Sequence, residues 1–112
     1  MHVRELLEHS HLTLLNSPDT LDNDIKGIFA SDLLSHVMGQ ANEGDILVTV
    51  LTNINVLGVA SLLDLSAVVF THNAEVLKPI IDKANELGIP LLRTSLSTAK
   101  TVLLLSTLGV SD

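Results

Sequence analysis

Three short polar clusters hold most of the chemistry-capable side chains of this sequence. Thr49, Thr52, Asn53 and Asn55 follow one apolar run, Thr71, His72 and Asn73 follow a second, and Arg93, Thr94 and Ser95 follow a third. Hydroxyls, amides and a guanidinium, together with helix N-terminal N–H groups, are the donors that an anion or a nucleotide phosphate needs. In open α/β sheets such groups gather beyond the C-terminal ends of parallel strands. The candidate ligand-binding set is therefore Thr52, Asn53, Asn55, Thr71, His72, Arg93, Thr94 and Ser95. Arg93 is the sharpest member, because Arg4 is the only other arginine. The competing reading gives Asn, Thr and Ser ordinary turn and capping work, pairs Arg93 with a surface carboxylate and leaves His72 as an exposed loop residue.

Other chemistries lack their supports. Cysteine is absent, which excludes disulfides, thiolate catalysis, iron–sulfur clusters and thiolate zinc sites. His2, His9, His11 and His36 match no metal-ligand spacing and no HExxH occurs, so no metal is expected. Without GxxxxGK[ST], GxGxxG or GxSxG, ATP hydrolysis, dinucleotide redox and esterase chemistry are disfavoured and no cofactor is expected. Ser10, Ser31 and Ser61 have no base at useful spacing, and Asp32, Asp45 and Asp64 suit caps and turns as well as acid–base work.

The elements that must position these loops are those of a small α/β domain. The stretch 44–73 reads as a buried strand, a polar turn, an apolar helix over 54–63 and a second buried strand over 67–70, a β-α-β unit near the minimum crossover length. The uncharged run 46–51 lacks alternation, as a parallel strand covered on both faces should. Upstream, a helix over 3–9, a short strand over 12–15 and a strand over 25–30 are expected, the last with Ile25, Gly27 and Phe29 on one face. Asp32 suits the N-cap of a helix over 33–39. Downstream, an amphipathic helix over 74–87 has Leu77, Ile80, Ile81, Ala84 and Leu87 as its inner stripe, with Gly88 as C-cap. Its start is open, since Pro79 either breaks it or lies in its first turn. A last strand over 91–93 precedes a closing helix capped by Ser95 or Ser97 and stopped at Gly109. The expected fold is a three-layer α/β/α domain with a mostly parallel central sheet, one domain over residues 1–112.

Composition narrows the partners. Six Lys+Arg against thirteen Asp+Glu give a formal charge of -7, and the aromatics are only Phe29 and Phe70, so nucleic-acid binding is not expected. No apolar run approaches the length needed to cross a bilayer and the N-terminus is too polar for a signal sequence, so a soluble, cytoplasmic protein without membrane contact is expected. The hydrophobic fraction is 46% while charged residues make up 17%; the helix over 54–63 is apolar nearly all round, and that over 96–108 is continuously apolar from Val102 to Leu105 with Lys100 as its only charge. Such helices lie between layers or in an interface, so a second copy of the chain is the simplest partner and another protein the alternative.

The order of segments resembles that of the DRTGG domain family. The resemblance runs from VRELLEH through LTLLN, IKGIFASDLLSHVMG, GDILVTV and VLGVASLLDLSAVVFT to IPLLRTSLSTAK. Related modules occur in the non-catalytic N-terminal part of HPr serine kinase/phosphorylase, in some phosphotransacetylases and between CBS domains of certain pyrophosphatases. The literal Asp-Arg-Thr-Gly-Gly string is absent, the loop after GDILVTV reads Leu51-Thr52-Asn53-Ile54-Asn55, and His72-Asn73 stands where relatives often carry small residues. The resemblance implies a non-catalytic regulatory or interaction module, homodimeric and sensing a small anionic metabolite or nucleotide. The alternatives are a small enzyme built on the loops of Asn53, His72 and Arg93, or a ligand-free scaffold docking on a larger enzyme.

Overall fold

The computed structural model describes residues 1–19 and 21–110. Its elements are α1 (Val3–Leu6), β1 (Thr13–Leu14), β2 (Gly27–Ala30), α2 (Leu34–Gln40), β3 (Asp45–Thr49), α3 (Asn55–Leu62), β4 (Ala67–Phe70), α4 (Lys78–Leu87), β5 (Leu91–Arg93) and α5 (Thr98–Thr107). The sheet order is β1-β5-β4-β3-β2, parallel throughout except for β1, which runs antiparallel to β5. Helices flank it on both faces, as the apolar central runs require.

Every residue of β3 and β4 is buried, because both of their faces are covered. On one face Leu47, Val68, Phe70 and Leu91 pack against Val37 of α2, Val56, Leu57 and Ala60 of α3, and Ile80 and Ala84 of α4. On the other, Ile46, Val48, Ala67, Val69 and Leu92 pack against Val3 and Leu6 of α1 and Leu105 of α5. The three crossovers between β2 and β5 thus share one face, and the chain changes face after β5.

Several elements depart from the sequence expectation for identifiable reasons. α1 is shorter than 3–9 because the chain tightens into i→i+3 turns, Glu8 N–H donating to Glu5 C=O and His9 N–H to Leu6 C=O. The ladder of β2 begins at Gly27 because Ile25 N–H donates to Met1 C=O, and Asp24 bridges His2. Ile25 therefore joins the α1/α5 core while Phe29 packs on the α2–α4 side, not on one shared face. Pro79 lies in the first turn of α4, so Leu77 precedes the helix and is 57% exposed instead of lining its inner stripe. Leu87 of the same stripe is also exposed, leaving Ile80 and Ala84 as the buried residues. α3 and α5 are one-sided rather than apolar all round in their surroundings: Leu62 and Leu103 are each 67% exposed. Gly88 takes the left-handed conformation at the end of α4, and Ser97 caps α5 by accepting from Lys100 N–H.

One buried side chain ties the β1–β2 connection to the sheet. Asn16 Nδ2 donates to Ile89 C=O (2.7 Å), and its Oδ1 accepts from Leu91 N–H (2.9 Å). It thereby serves two backbone groups flanking the start of β5. Asn16→Ala leaves both without their partner in a site closed to water, and is expected to destabilise the fold by about 2–4 kcal/mol in urea unfolding. Asn16→Leu should restore no stability, since the loss is of hydrogen bonds and not of volume.

Candidate functional site

All three polar clusters lie at the C-terminal edge of the parallel strands, and the structure divides them into two groups. The first joins β4 to β5. Thr71, wholly buried, shares a 2.8 Å hydrogen bond between its Oγ1 and Thr98 Oγ1. His72 N–H donates to Leu96 C=O and Asn73 N–H to Thr94 C=O, each at 2.8 Å. Thr94 Oγ1 accepts from Leu96 N–H (3.2 Å), and His72 Nε2 accepts from Thr98 N–H (3.3 Å). His72 thus helps to cap α5 through its ring nitrogen.

This closure depends on an unusual turn. His72 and Asn73 have φ of 57° and 53°, and Ala74 N–H returns to Thr71 C=O at 3.1 Å. Two successive left-handed residues form a tight turn of the type that favours glycine, tolerated by asparagine and histidine more readily than by β-branched residues. The turn aims two backbone N–H groups at the β5–α5 loop. β4 leads to α4 on one face and β5 to α5 on the other, so this is where the crossovers diverge and where ligands of open α/β sheets usually sit.

The second group joins β2 to β3. Asp32 Oδ1 accepts from Thr49 Oγ1 (2.8 Å) and from Val50 N–H (2.9 Å), and Thr49 Oγ1 accepts from Leu51 N–H (3.1 Å). Asp32 is therefore not the N-cap expected for α2; Leu33 holds that position without a side-chain bond. Its carboxylate instead fastens one loop to the next. Asn53 Oδ1 accepts from Asn55 N–H (2.8 Å) and orders the entry to α3, while Asn55 opens that helix and faces solvent. The two groups meet through the sheet, where Thr71 N–H donates to Thr49 C=O (3.0 Å).

Of the sequence-derived candidates, Thr71, His72 and Thr94 come together in one hydrogen-bonded cluster, and Arg93 and Ser95 adjoin it along the chain. Thr52, Asn53 and Asn55 stand at the end of β3, with Asn53 engaged in its own helix start. Arg93 is half-buried beside Phe70 in register, and its guanidinium makes no hydrogen bond or ion pair with any described residue. It shares the α2–α4 face with Leu91, two residues earlier on β5. Sequence reasoning missed the roles of Asp32 and Thr98. Asp32 follows β2 by two residues, and only the pairing of β2 with β3 places it beside Thr49.

Residues 5–108 match the sequence profile of the DRTGG domain. The chain belongs to the DRTGG family. Among solved structures, this DRTGG domain is similar to the crystal structure of the CBS and DRTGG domains of the regulatory region of Clostridium perfringens pyrophosphatase, complexed with the activator diadenosine tetraphosphate. The TM-score is 0.71 at 14% identity; the match covers 90% of this chain and 45% of that one, so the domain spans about half of its length. At that identity the likeness is one of fold. No curated protein matches the sequence significantly.

The edge offers little nucleophilic chemistry. The Thr49 hydroxyl that faces a carboxylate is 1% exposed, and His72 Nε2 faces a backbone N–H rather than a hydroxyl. Among the described residues no three His, Asp or Glu side chains converge as a metal site would require, and no helix is long and apolar enough to cross a membrane. Surface clefts lie elsewhere: one of about 370 Å³ includes Lys26, Gly44 and Asp64, and one of about 490 Å³ runs over the outer side of α3. Neither is lined by an arginine, and the guanidinium of Arg93 stands at the strand-end edge.

The Asp32–Thr49 bond should be energetically coupled. Asp32→Ala and Thr49→Val are each expected to destabilise the domain, and the double variant to lose less than the sum, leaving a coupling of about 1–2 kcal/mol in denaturant unfolding. Additive losses would mean that the two side chains act independently.

Proposed function

We propose that this DRTGG domain is a non-catalytic regulatory module that self-associates and responds to a small anionic ligand, a nucleotide or a phosphorylated metabolite. The observation that carries the ligand reading is Arg93. It is a half-buried guanidinium without a hydrogen-bond or ion-pair partner among the described residues, at the C-terminal end of a strand that runs parallel to β4. A guanidinium in that position is suited to bidentate recognition of phosphate or carboxylate. His72 and Ser95 would flank the ligand on the β4–β5 side, with Thr71 and Thr94 buried behind them, and Thr52, Asn53 and Asn55 on the side toward β3.

A similar fold occurs within a regulatory region complexed with an adenine dinucleotide activator, which supports the nucleotide class without fixing its members. The internal engagement of His72 and of Thr49 argues against an enzyme built on these loops, because no accessible hydroxyl is paired with a base. Support for an interaction role comes from α3, whose outer side exposes Ile54 and Leu62 next to Met38 of α2. Exposed apolar side chains in contiguous array are the mark of a surface that meets another protein. Lys83 and Leu87 of α4 complete that groove.

Thermal unfolding in the presence of inorganic phosphate, AMP, ATP and diadenosine tetraphosphate tests the ligand reading. A compound bound by the native state at a hundred times its dissociation constant should stabilise it by about 2.7 kcal/mol, and the shift should disappear in Arg93→Ala while the unliganded midpoint stays near that of the wild type. Absence of a saturable shift with every phosphate compound, or an undiminished shift in Arg93→Ala, would contradict it.

A further inference from the structure

β2 forms one edge of the sheet, and its outer side presents an unfilled row of backbone groups. Ser31 N–H donates to Val48 C=O, while Gly27 and Phe29 stand in register with Asp45 and Leu47. Lys26 N–H donates to Gly44 C=O and stands out of step, but from Phe29 to Ser31 the parallel ladder alternates, so Phe29 and Ser31 direct their backbone groups to β3, and the N–H and C=O of Ile28 and Ala30 point out of the sheet. No turn, cap or side-chain hydrogen bond among the described residues reaches them. Natural edges are usually blunted by internal charge, proline or a covering element. Here the strand reads Gly-Ile-Phe-Ala, and the charges, Lys26 and Asp32, lie outside it.

We infer that a second copy of this chain fills this edge, β2 pairing antiparallel with β2 about a twofold axis at Phe29. This rests on the self-association proposed above and assigns its surface. The register follows from self-complementarity. With Phe29 opposite its own counterpart, Ile28 of each copy faces Ala30 of the other, and the outward N–H and C=O groups of both residues are satisfied. The Phe29 pair becomes a non-hydrogen-bonded one, in which Cα atoms approach to about 4.5 Å and side chains touch most closely.

Lys26 precedes the strand and Asp32 follows it in a bend, so antiparallel self-pairing brings the cationic end of each copy's strand toward the anionic end of its partner's. Both are ready for it. Among the described residues Lys26 makes no ion pair, and Asp32 takes its two internal bonds on Oδ1, leaving Oδ2 unclaimed. Opposite charges brought together at the ends of an antiparallel pair favour that pairing over a slipped one. A cleft of about 430 Å³ beside β2, lined by Phe29, His36, Gln40 and Glu43, leaves space along the edge on the α2 side. The product is a continuous ten-stranded sheet, five strands from each copy.

Sedimentation at micromolar concentration, with amide hydrogen exchange on the same wild-type protein, tests the assignment. A dimer is expected in which the Ile28 and Ala30 amides exchange fast when the protein is dilute and slowly when it is concentrated. Ala30→Pro removes an outward N–H without touching the β3 ladder. It should weaken dimerisation about 5- to 150-fold, the equivalent of two net hydrogen bonds per dimer. Glu86→Lys, on the exposed side of α4, should leave the dimer intact. A wild-type monomer would overturn both this assignment and self-association itself. A dimer with fast-exchanging Ile28 and Ala30 amides, or one dissociated by Leu62→Glu on the rival α3 surface but not by Ala30→Pro, would overturn the edge and leave self-association standing. Should Ala30→Pro fail to fold, exchange on the wild type decides.

Discussion

The parallel ladder of β3 and β4 buries every residue of both strands, and the need to cover its two faces shapes the rest of the molecule. Backbone hydrogen bonds of the ladder are satisfied within the sheet, so apolar side chains can occupy both faces without stranding polar groups. One face takes α2, α3 and α4 in succession; the other requires α1 and α5. The change of face after β5 follows from that division. It also fixes where polar side chains can go, since the middle of the sheet admits none and they collect at the strand ends.

At the C-terminal edge the collected groups hold one another in place. Asp32 fastens the loop after β2 to the end of β3, and the His72–Asn73 turn fastens the loop after β4 to the start of α5. Left-handed geometry at two successive non-glycine residues is a local cost, tolerated because their N–H groups bond the next loop. Arg93 is the exception, unpaired where its neighbours are satisfied. At the other end of β5, Asn16 performs a purely structural version of the same task, bridging backbone groups of a buried segment. The two ends of one sheet thus use the same residue types to different effect.

Much of this was legible in the sequence. The uncharged runs at 46–49 and 67–70 could be little other than doubly covered strands, Gly88 marked the end of α4, and the cap of α5 was narrowed to Ser95 or Ser97, of which Ser97 holds it. The limits of the reading are equally physical. The length of α1 and the start of β2 are set by bonds between residues more than twenty apart, such as Ile25 with Met1, which periodicity does not register. Leu77 looked like a core position because Pro79 did not fix where α4 begins. Asp32 carried the signature of a helix cap, and its partner, Thr49, becomes visible only once β2 and β3 are known to be neighbours. The eight candidate residues were recognisable as belonging to strand ends, whereas which of them touch depended on strand order.

The central claim is that the strand-end edge around Arg93, and not the other surface clefts, receives the ligand. Its most direct test is the titration of isotope-labelled protein with diadenosine tetraphosphate and with ATP, following backbone amide resonances. The account predicts saturable shifts confined to residues 71–74 and 93–98, with smaller changes at 50–55. Shifts centred on the outer side of α3 or around Gly44 and Asp64, or no shifts with either nucleotide, would contradict it.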